Sequence, residues 1–292
     1  MRVKDWLYYY RALQRVPRGA VRRITRRTCR GYSQMESFLA GKCGLEIGGP
    51  SPIFSKNRLI PVYDRCRRID NCNFSPETIW GAVGGNQEFG TQFGSELIAE
   101  ACNLSMIASE SYDFVLASHA LEHLANPLQA LTVWKRVLVP GGVFLVIVPD
   151  KRATFDHRRP FTSFDHIQSD FKNHASEDDL THLEEILRLH DLGLDPPAGS
   201  PQAFRERCLK NASIRAMHHH VFSPDVLVRI FTRLGMKVLR LVIERPENIV
   251  VLAQKRGNEI GQEVELHNLG FLSQSAEWRV HDPLRGCEEL PS

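Results

Sequence analysis

Six consecutive apolar residues, Val143–Val148, stand between Gly142 and Pro149. This is the longest apolar run in the 292-residue chain, far short of the roughly 20 residues a helical membrane span needs. Its residues are largely β-branched and show neither helical nor alternating polarity. Such a run suits a strand buried on both faces, the central strand of a parallel sheet. Parallel strands need crossover connections, and the surrounding sequence supplies the matching alternation. Cys43–Ile47 reads as a first strand running into Gly48-Gly49-Pro50, and Leu59–Tyr63 as a second ending at Asp64. Leu97–Ala101 is a third and Tyr112–Ala117 a fourth, followed by a helix through Ala120–Leu138. Ser223-Pro224-Asp225 signals a helix start, and Gly235 closes that helix. Met236–Ile243 and Asn248–Gln254 form a terminal strand pair. The pattern predicts a doubly wound α/β sheet, whose ligands bind beyond the carboxyl ends of the strands.

Charge is distributed unevenly. Residues 1–42 hold eleven of the 37 Lys/Arg and two of the 34 Asp/Glu, a local balance of +9 against −6 for the remainder. A nucleic-acid binder with a basic body is therefore disfavoured. Trp6, Tyr10 and Leu13 fall at helical spacing beside Tyr9, with seven arginines from Arg11 to Arg27. This predicts a basic amphipathic helix, suited either to an anionic membrane surface or to packing one aromatic face on the domain. Seven cysteines, an odd number without any CxxC pair, fit a reducing, cytoplasmic setting. The domain reading is a basic extension over 1–42, a catalytic domain over 43–255 with an insertion at 151–222, and a tail over 256–292.

At the end of the first strand, Gly48 and Gly49 let a ligand approach the main chain where a Cβ would clash. Asp64, ending the second, is placed to accept both hydroxyls of a ribose. A nicotinamide cofactor would want G-x-G-x-x-G, but Pro50, Ser51 and Pro52 follow, with no third glycine and two missing backbone donors.

The ordered series Glu46-x-Gly48-Gly49, Asp64, Glu100-Ala101-Cys102, Tyr112–Leu116 leading to Ser118-His119-Ala120-Leu121-Glu122-His123, and Leu138-x-Pro140-Gly141-Gly142 resembles the class I S-adenosylmethionine-dependent methyltransferases. Within that class it resembles the small-molecule branch. The resemblance implies a Rossmann-like, mostly parallel seven-stranded sheet and S-adenosyl-L-methionine as cofactor. It implies that Glu46 orients the glycine loop, that Gly48 and Gly49 carry the methionine portion, and that Asp64 holds the ribose. It further implies that Glu100 meets the adenine amino group, that Ala101 or Cys102 flanks the ring, and that Ser118 and His119 line the methionine side. Asp150-Lys151-Arg152, Phe155-Asp156-His157, Arg159-Pro160 and His218-His219-His220 resemble methyltransferase-domain proteins associated with bacterial surface-polysaccharide assembly. The implied acceptor is a small molecule or glycan, methylated on a saccharide hydroxyl.

The insertion carries eight of the twelve histidines, amid ten basic and eleven acidic residues. It reads as a substrate lid. No fixed-spacing metal signature is present, so no metal is expected. If the acceptor is a hydroxyl, a base must take its proton, and His219 or His220 is the candidate, with Asp150, His157 or His119 positioning acceptor or base. Two alternatives remain: a nucleic-acid methyltransferase using the basic N-terminus, and a non-catalytic cofactor-binding protein.

Overall fold

A computed structural model describes residues 28–79, 81–82 and 93–256. The amphipathic helix expected within 1–27 and the tail from 257 onward lie outside the described residues. In chain order the strands are β1 (Cys43–Ile47), β2 (Arg68–Asn73), β3 (Glu77–Thr78), β4 (Gly81–Ala82), β5 (Phe93–Ile98), β6 (Tyr112–Ser118), β7 (Leu138–Pro149), β8 (Met236–Glu244) and β9 (Asn248–Lys255). The α-helices are α1 (Tyr32–Glu36), α2 (Pro127–Val137), α3 (Phe164–Lys172), α4 (Leu183–Leu189), α5 (Pro201–Leu209), α6 (Asn211–Ile214) and α7 (Pro224–Arg233).

Seven strands form one sheet in the order β5-β2-β1-β6-β7-β9-β8. The first five run parallel, and β9 is antiparallel to both β7 and β8. The chain moves outward from β1 through β2 to β5, then returns to β6 on the other side of β1. The sheet's switch point therefore lies between β1 and β6. The Val143–Val148 run forms the buried middle of β7, as its composition predicts.

One face packs under α2, α3 and α7. Asn126 caps α2 by accepting from the Gln129 amide, with Pro127 in the first turn. Buried Trp134 donates its indole N–H to the Ala101 carbonyl at 2.9 Å. Ser223 caps α7, which turns Val226, Leu227, Ile230 and Phe231 into the core. The other face is covered differently. Between β1 and β2 there is a 3-10 turn, Pro52–Phe54, and a buried loop rather than an α-helix. Pro50, Pro52 and Pro61 each lack a backbone donor, which suits a loop better than a helix.

Several expectations change here: the third strand of the sheet is Phe93–Ile98 rather than Leu97–Ala101, and the helix expected over Ala120–Leu138 starts at Pro127. Leu59–Tyr63 is no strand: Ile60, Val62 and Tyr63 are buried side chains of the covering loop, packed beside Met35 and Leu39. The second strand is Arg68–Asn73 instead. Cys29, Tyr32, Met35 and Leu39, within the stretch read as an extension over 1–42, are buried core residues.

The 151–222 insertion folds into α3 through α6 with short 3-10 turns. It has a small core of its own, made by Leu183, Ile186, Ala198, Phe204, Cys208 and Met217.

Candidate active site

At the carboxyl end of β1 the chain turns through Gly48, whose φ is +75° and whose amide donates to the Cys72 carbonyl at 2.9 Å. A Cβ on Gly48 would lie 3.2 Å from the Ala120 methyl, across the switch point. A Cβ on Gly49 would lie 2.2 Å from the Glu46 carboxyl carbon. The loop thus sits directly on the Glu46 side chain, and only glycine leaves that space.

Glu46 is fully buried. Its Oε1 accepts from the Ser51 amide at 2.9 Å, and its Oε2 accepts from the Tyr63 hydroxyl at 2.8 Å. Burial pushes its pKa up to about 7, only partly offset by these hydrogen bonds. Glu46 and the glycine loop are in direct contact.

Asp64 stands elsewhere. It precedes β2 and contacts Arg65 at 3.8 Å, while the Arg65 carbonyl accepts from Gly41, just ahead of β1. Asp64 therefore belongs to the edge where these strands begin. The position expected for it, at the end of β2 beside the glycine turn, is held by Asn73, whose Nδ2 donates to the Gly49 carbonyl at 2.9 Å.

Beyond β5, Glu100 is exposed and pairs with Arg215 of the insertion at 2.7 Å. Arg215 also lies over the Phe74 ring, 5.2 Å from its centre, so the insertion reaches the ends of both β2 and β5. Ala101 is buried with its carbonyl committed to Trp134, and the Cys102 thiol contacts the Asn126 carbonyl at 3.6 Å. Ser118 ends β6 half-buried. His119 follows with φ 50° and shares a 2.9 Å hydrogen bond between Nε2 and Asn248 Oδ1. Burial lowers its pKa to about 4, which keeps it neutral.

The histidines of the insertion divide. His219 is buried and accepts at Nε2 from the Asn211 amide at 2.9 Å, and burial lowers its pKa to about 3. His220 is buried too, with Nε2 donating to the Ala125 carbonyl at 3.2 Å. His157 pairs with Asp191 at 2.9 Å, and the Asp150 carboxylate with Arg152 at 2.6 Å. None of these four is brought into hydrogen-bond contact with another.

His218, read with its neighbours but not chosen as the base, meets a carboxylate instead. Its Nδ1 lies 2.5 Å from Asp156 Oδ2, and its ring stacks edge-on against His123 at 4.5 Å. Burial opposes charge on this ring, but Asp156, aided by Glu122, outweighs it and raises the pKa. Asp156 in turn receives Arg159 at 3.0 Å, and His218 and Arg159 together overcome burial to hold its carboxyl well below the usual range. Glu122 is buried with no hydrogen-bond partner for either carboxylate oxygen among the described residues. Burial pushes its pKa up to about 7. One donor atom each from Glu122, His123 and His218 lies within 4.8 Å of the others. Three adjacent histidines carry no sequence mark of which one meets a carboxylate 62 residues away.

Residues 58–146 match the family model described as a methyltransferase domain. Over that stretch the chain carries a methyltransferase domain. The cofactor is S-adenosyl-L-methionine, and the glycine turn at the switch point, with main chain open to a ligand, fits it. Among solved structures, the chain is similar to an S-adenosylmethionine-dependent methyltransferase from Mesorhizobium loti (12% identity, 76% of this chain and 95% of that one, TM-score 0.46). It is similar also to one from Aquifex aeolicus (14%, 76% and 88%, TM-score 0.43). A carbon methyltransferase, CurJ, is similar at 14% identity over 75% of this chain, which spans half of that protein's length, with TM-score 0.43. No curated protein matches.

Two measurements check this site. Asn73→Ala is expected to weaken S-adenosylmethionine binding at least several-fold by calorimetry, whereas Asp64→Ala leaves it unchanged; the reverse pattern would restore the ribose role to Asp64. Glu46, with a folded pKa raised above the unfolded value, adds stability that is full below pH 4.5 and lost as pH rises through about 7. Urea unfolding of Glu46→Gln should therefore show a smaller loss of stability between pH 5.5 and pH 8, by about 2 kcal/mol.

Proposed function

We propose that this protein transfers the methyl group of S-adenosylmethionine to a saccharide hydroxyl, with His218 taking the hydroxyl proton. The observation that carries the reading is the His218–Asp156 pair, anchored by Arg159 beside Glu122 and the segment that follows β6. When bound, the cofactor supplies a sulfonium methyl group, and transfer then depends mainly on alignment of the acceptor. Gly48 and Gly49 would carry its methionine end, Asn73 its ribose, and Glu100 with the Ala101-Cys102 backbone its base. Ser118 and His119 would line the methyl side.

With Nδ1–H donated to Asp156, the His218 Nε2 lone pair is the atom that accepts the proton. Asp156 then faces the imidazolium it stabilises. The unpartnered Glu122 oxygens offer acceptors for neighbouring hydroxyls, which suits a polyol. The motif resemblance to proteins of surface-polysaccharide assembly supports the same acceptor class.

The test uses methyl-labelled cofactor with nucleotide sugars, lipid-linked saccharides and RNA, read by mass spectrometry. Label is expected on saccharide oxygen. His218→Ala should lower kcat by roughly 10²–10⁴-fold with cofactor affinity retained, and Asp156→Asn should lower it less. Label on RNA alone, or no turnover with any acceptor, overturns the reading in favour of a nucleic-acid enzyme or a non-catalytic binder.

The basic excess of residues 1–42 supports peripheral contact with an anionic membrane, at the cytoplasmic face where lipid-linked saccharides would be met. Among the described residues no helix is long and apolar enough to cross a membrane. Since Cys29, Tyr32 and Met35 are core residues, residues 1–27 would carry the docking. Each basic residue near such a surface contributes about 1 kcal/mol. The full chain is expected to co-sediment with phosphatidylserine vesicles at low salt, to release as salt screens the charge, and to lose binding when residues 1–27 are deleted. Retention of binding by that variant would overturn the docking role.

A further inference from the structure

A second group of histidines lies in the insertion, apart from His218. His166 and Asp170 are one turn apart on α3, with His166 Nε2 and Asp170 Oδ2 separated by 3.3 Å. His182, at the start of α4, brings its Nε2 to 3.0 Å from that of His166. His220, in the segment leading to α7, places Nε2 3.7 Å from Asp170 Oδ2. One donor atom from each of the four lies within 4.8 Å of all the others.

These separations match a coordination shell. Four ligands at about 2.0–2.1 Å from a tetrahedral ion stand roughly 3.3 Å from one another. Asp170 is 8% exposed, and its Oδ2, facing the imidazoles, has no hydrogen-bond partner among the described residues. A buried carboxylate oxygen left without a partner is costly, and a cation between it and the rings removes that cost. Three imidazoles and one carboxylate suit zinc and its borderline neighbours, not calcium or magnesium, which take oxygen ligands.

We propose that His166, Asp170, His182 and His220 bind one divalent transition-metal ion of the zinc type, with a structural role. Binding exchanges the His220 hydrogen bond to the Ala125 carbonyl for a bond to the ion. His166, with its side chain 38% exposed, opens the site to solvent. The ion pins α3, the start of α4 and the 218–222 segment together. All three belong to the insertion, so the ion braces it internally, independently of the methyl-transfer chemistry. Sequence spacing conceals the site, because only His166 and Asp170 are local to each other.

The full chain, stripped with chelator, is incubated with zinc, desalted and analysed for metal. One ion per chain is expected, with a rise in unfolding temperature caused by zinc and not by magnesium. The double variant His166→Ala/His182→Ala should lose both effects, while Glu122→Gln/His218→Ala retains the ion. No retained metal in the wild type, or loss of metal in the second variant alone, overturns the proposal. Histidine footprinting of the wild type covers the case in which the first variant does not fold. Zinc should protect His166 and His182 from acylation, and unchanged labelling of both overturns the site.

Discussion

A buried guanidinium sets the arrangement on which the catalytic face depends. Arg159 is 1% exposed, and placing its charge there without partners would cost several kcal/mol. It donates to Asp156 at 3.0 Å, to Glu185 at 2.8 Å, and to the carbonyls of His218 and His219 at 2.9 and 3.2 Å. Those partners come from the turn after β7, from α4 and from the segment preceding α7. They meet around one planar fork of donors only when the two ends of the insertion close on α4. Asp156 is fixed by the same contacts, and through it the His218 ring.

Glu46 does the corresponding job on the cofactor side by other means. Among the described residues no cation stands beside it, and burial raises its pKa to about 7. Its anchors are the Ser51 amide and the Tyr63 hydroxyl, both supplied by the prolyl loop that stands where a helix would ordinarily follow β1. The unusual connection and the glycine turn are thus one unit. The loop gives up helical cover over the sheet and in return supplies the groups that hold Glu46 under the glycine turn. The two buried charges are managed in opposite ways, Arg159 by ion pairing and Glu46 by drawing its pKa toward neutrality.

Sequence reading located the elements whose burial is apolar and missed those whose burial is polar. Val143–Val148, Tyr112–Ala117 and the closing pair were legible because both faces of each strand carry hydrophobic side chains. Arg68–Asn73 was not. Its buried Asp70 is satisfied by Tyr112 and by the Ser95 amide, partners on strands far along the chain, so its pattern resembles a surface loop. The neighbouring run Leu59–Tyr63 looked more like a strand because its apolar residues pack as a covering loop. Asp64 precedes the true second strand for the same reason, and the end of that strand carries the amide Asn73 rather than an acid. The glycine turn and Glu46 were readable, since their meaning depends on residues within a few positions.

The three histidines at 218–220 show why the remainder needed coordinates. Neighbouring side chains of an extended segment point to different sides, and here the first meets Asp156, the second Asn211 and the third the Ala125 carbonyl. A slip of one residue would exchange their surroundings. Register is held by backbone contacts: the His219 amide donates to the Glu122 carbonyl, and the Val221 amide to Thr162 Oγ1. Glu122 thereby presents its side chain beside His218 while its main chain sets which histidine arrives there. The segment after β6 consequently fixes both members of the pair, and the insertion cannot shift without dismantling the site it covers.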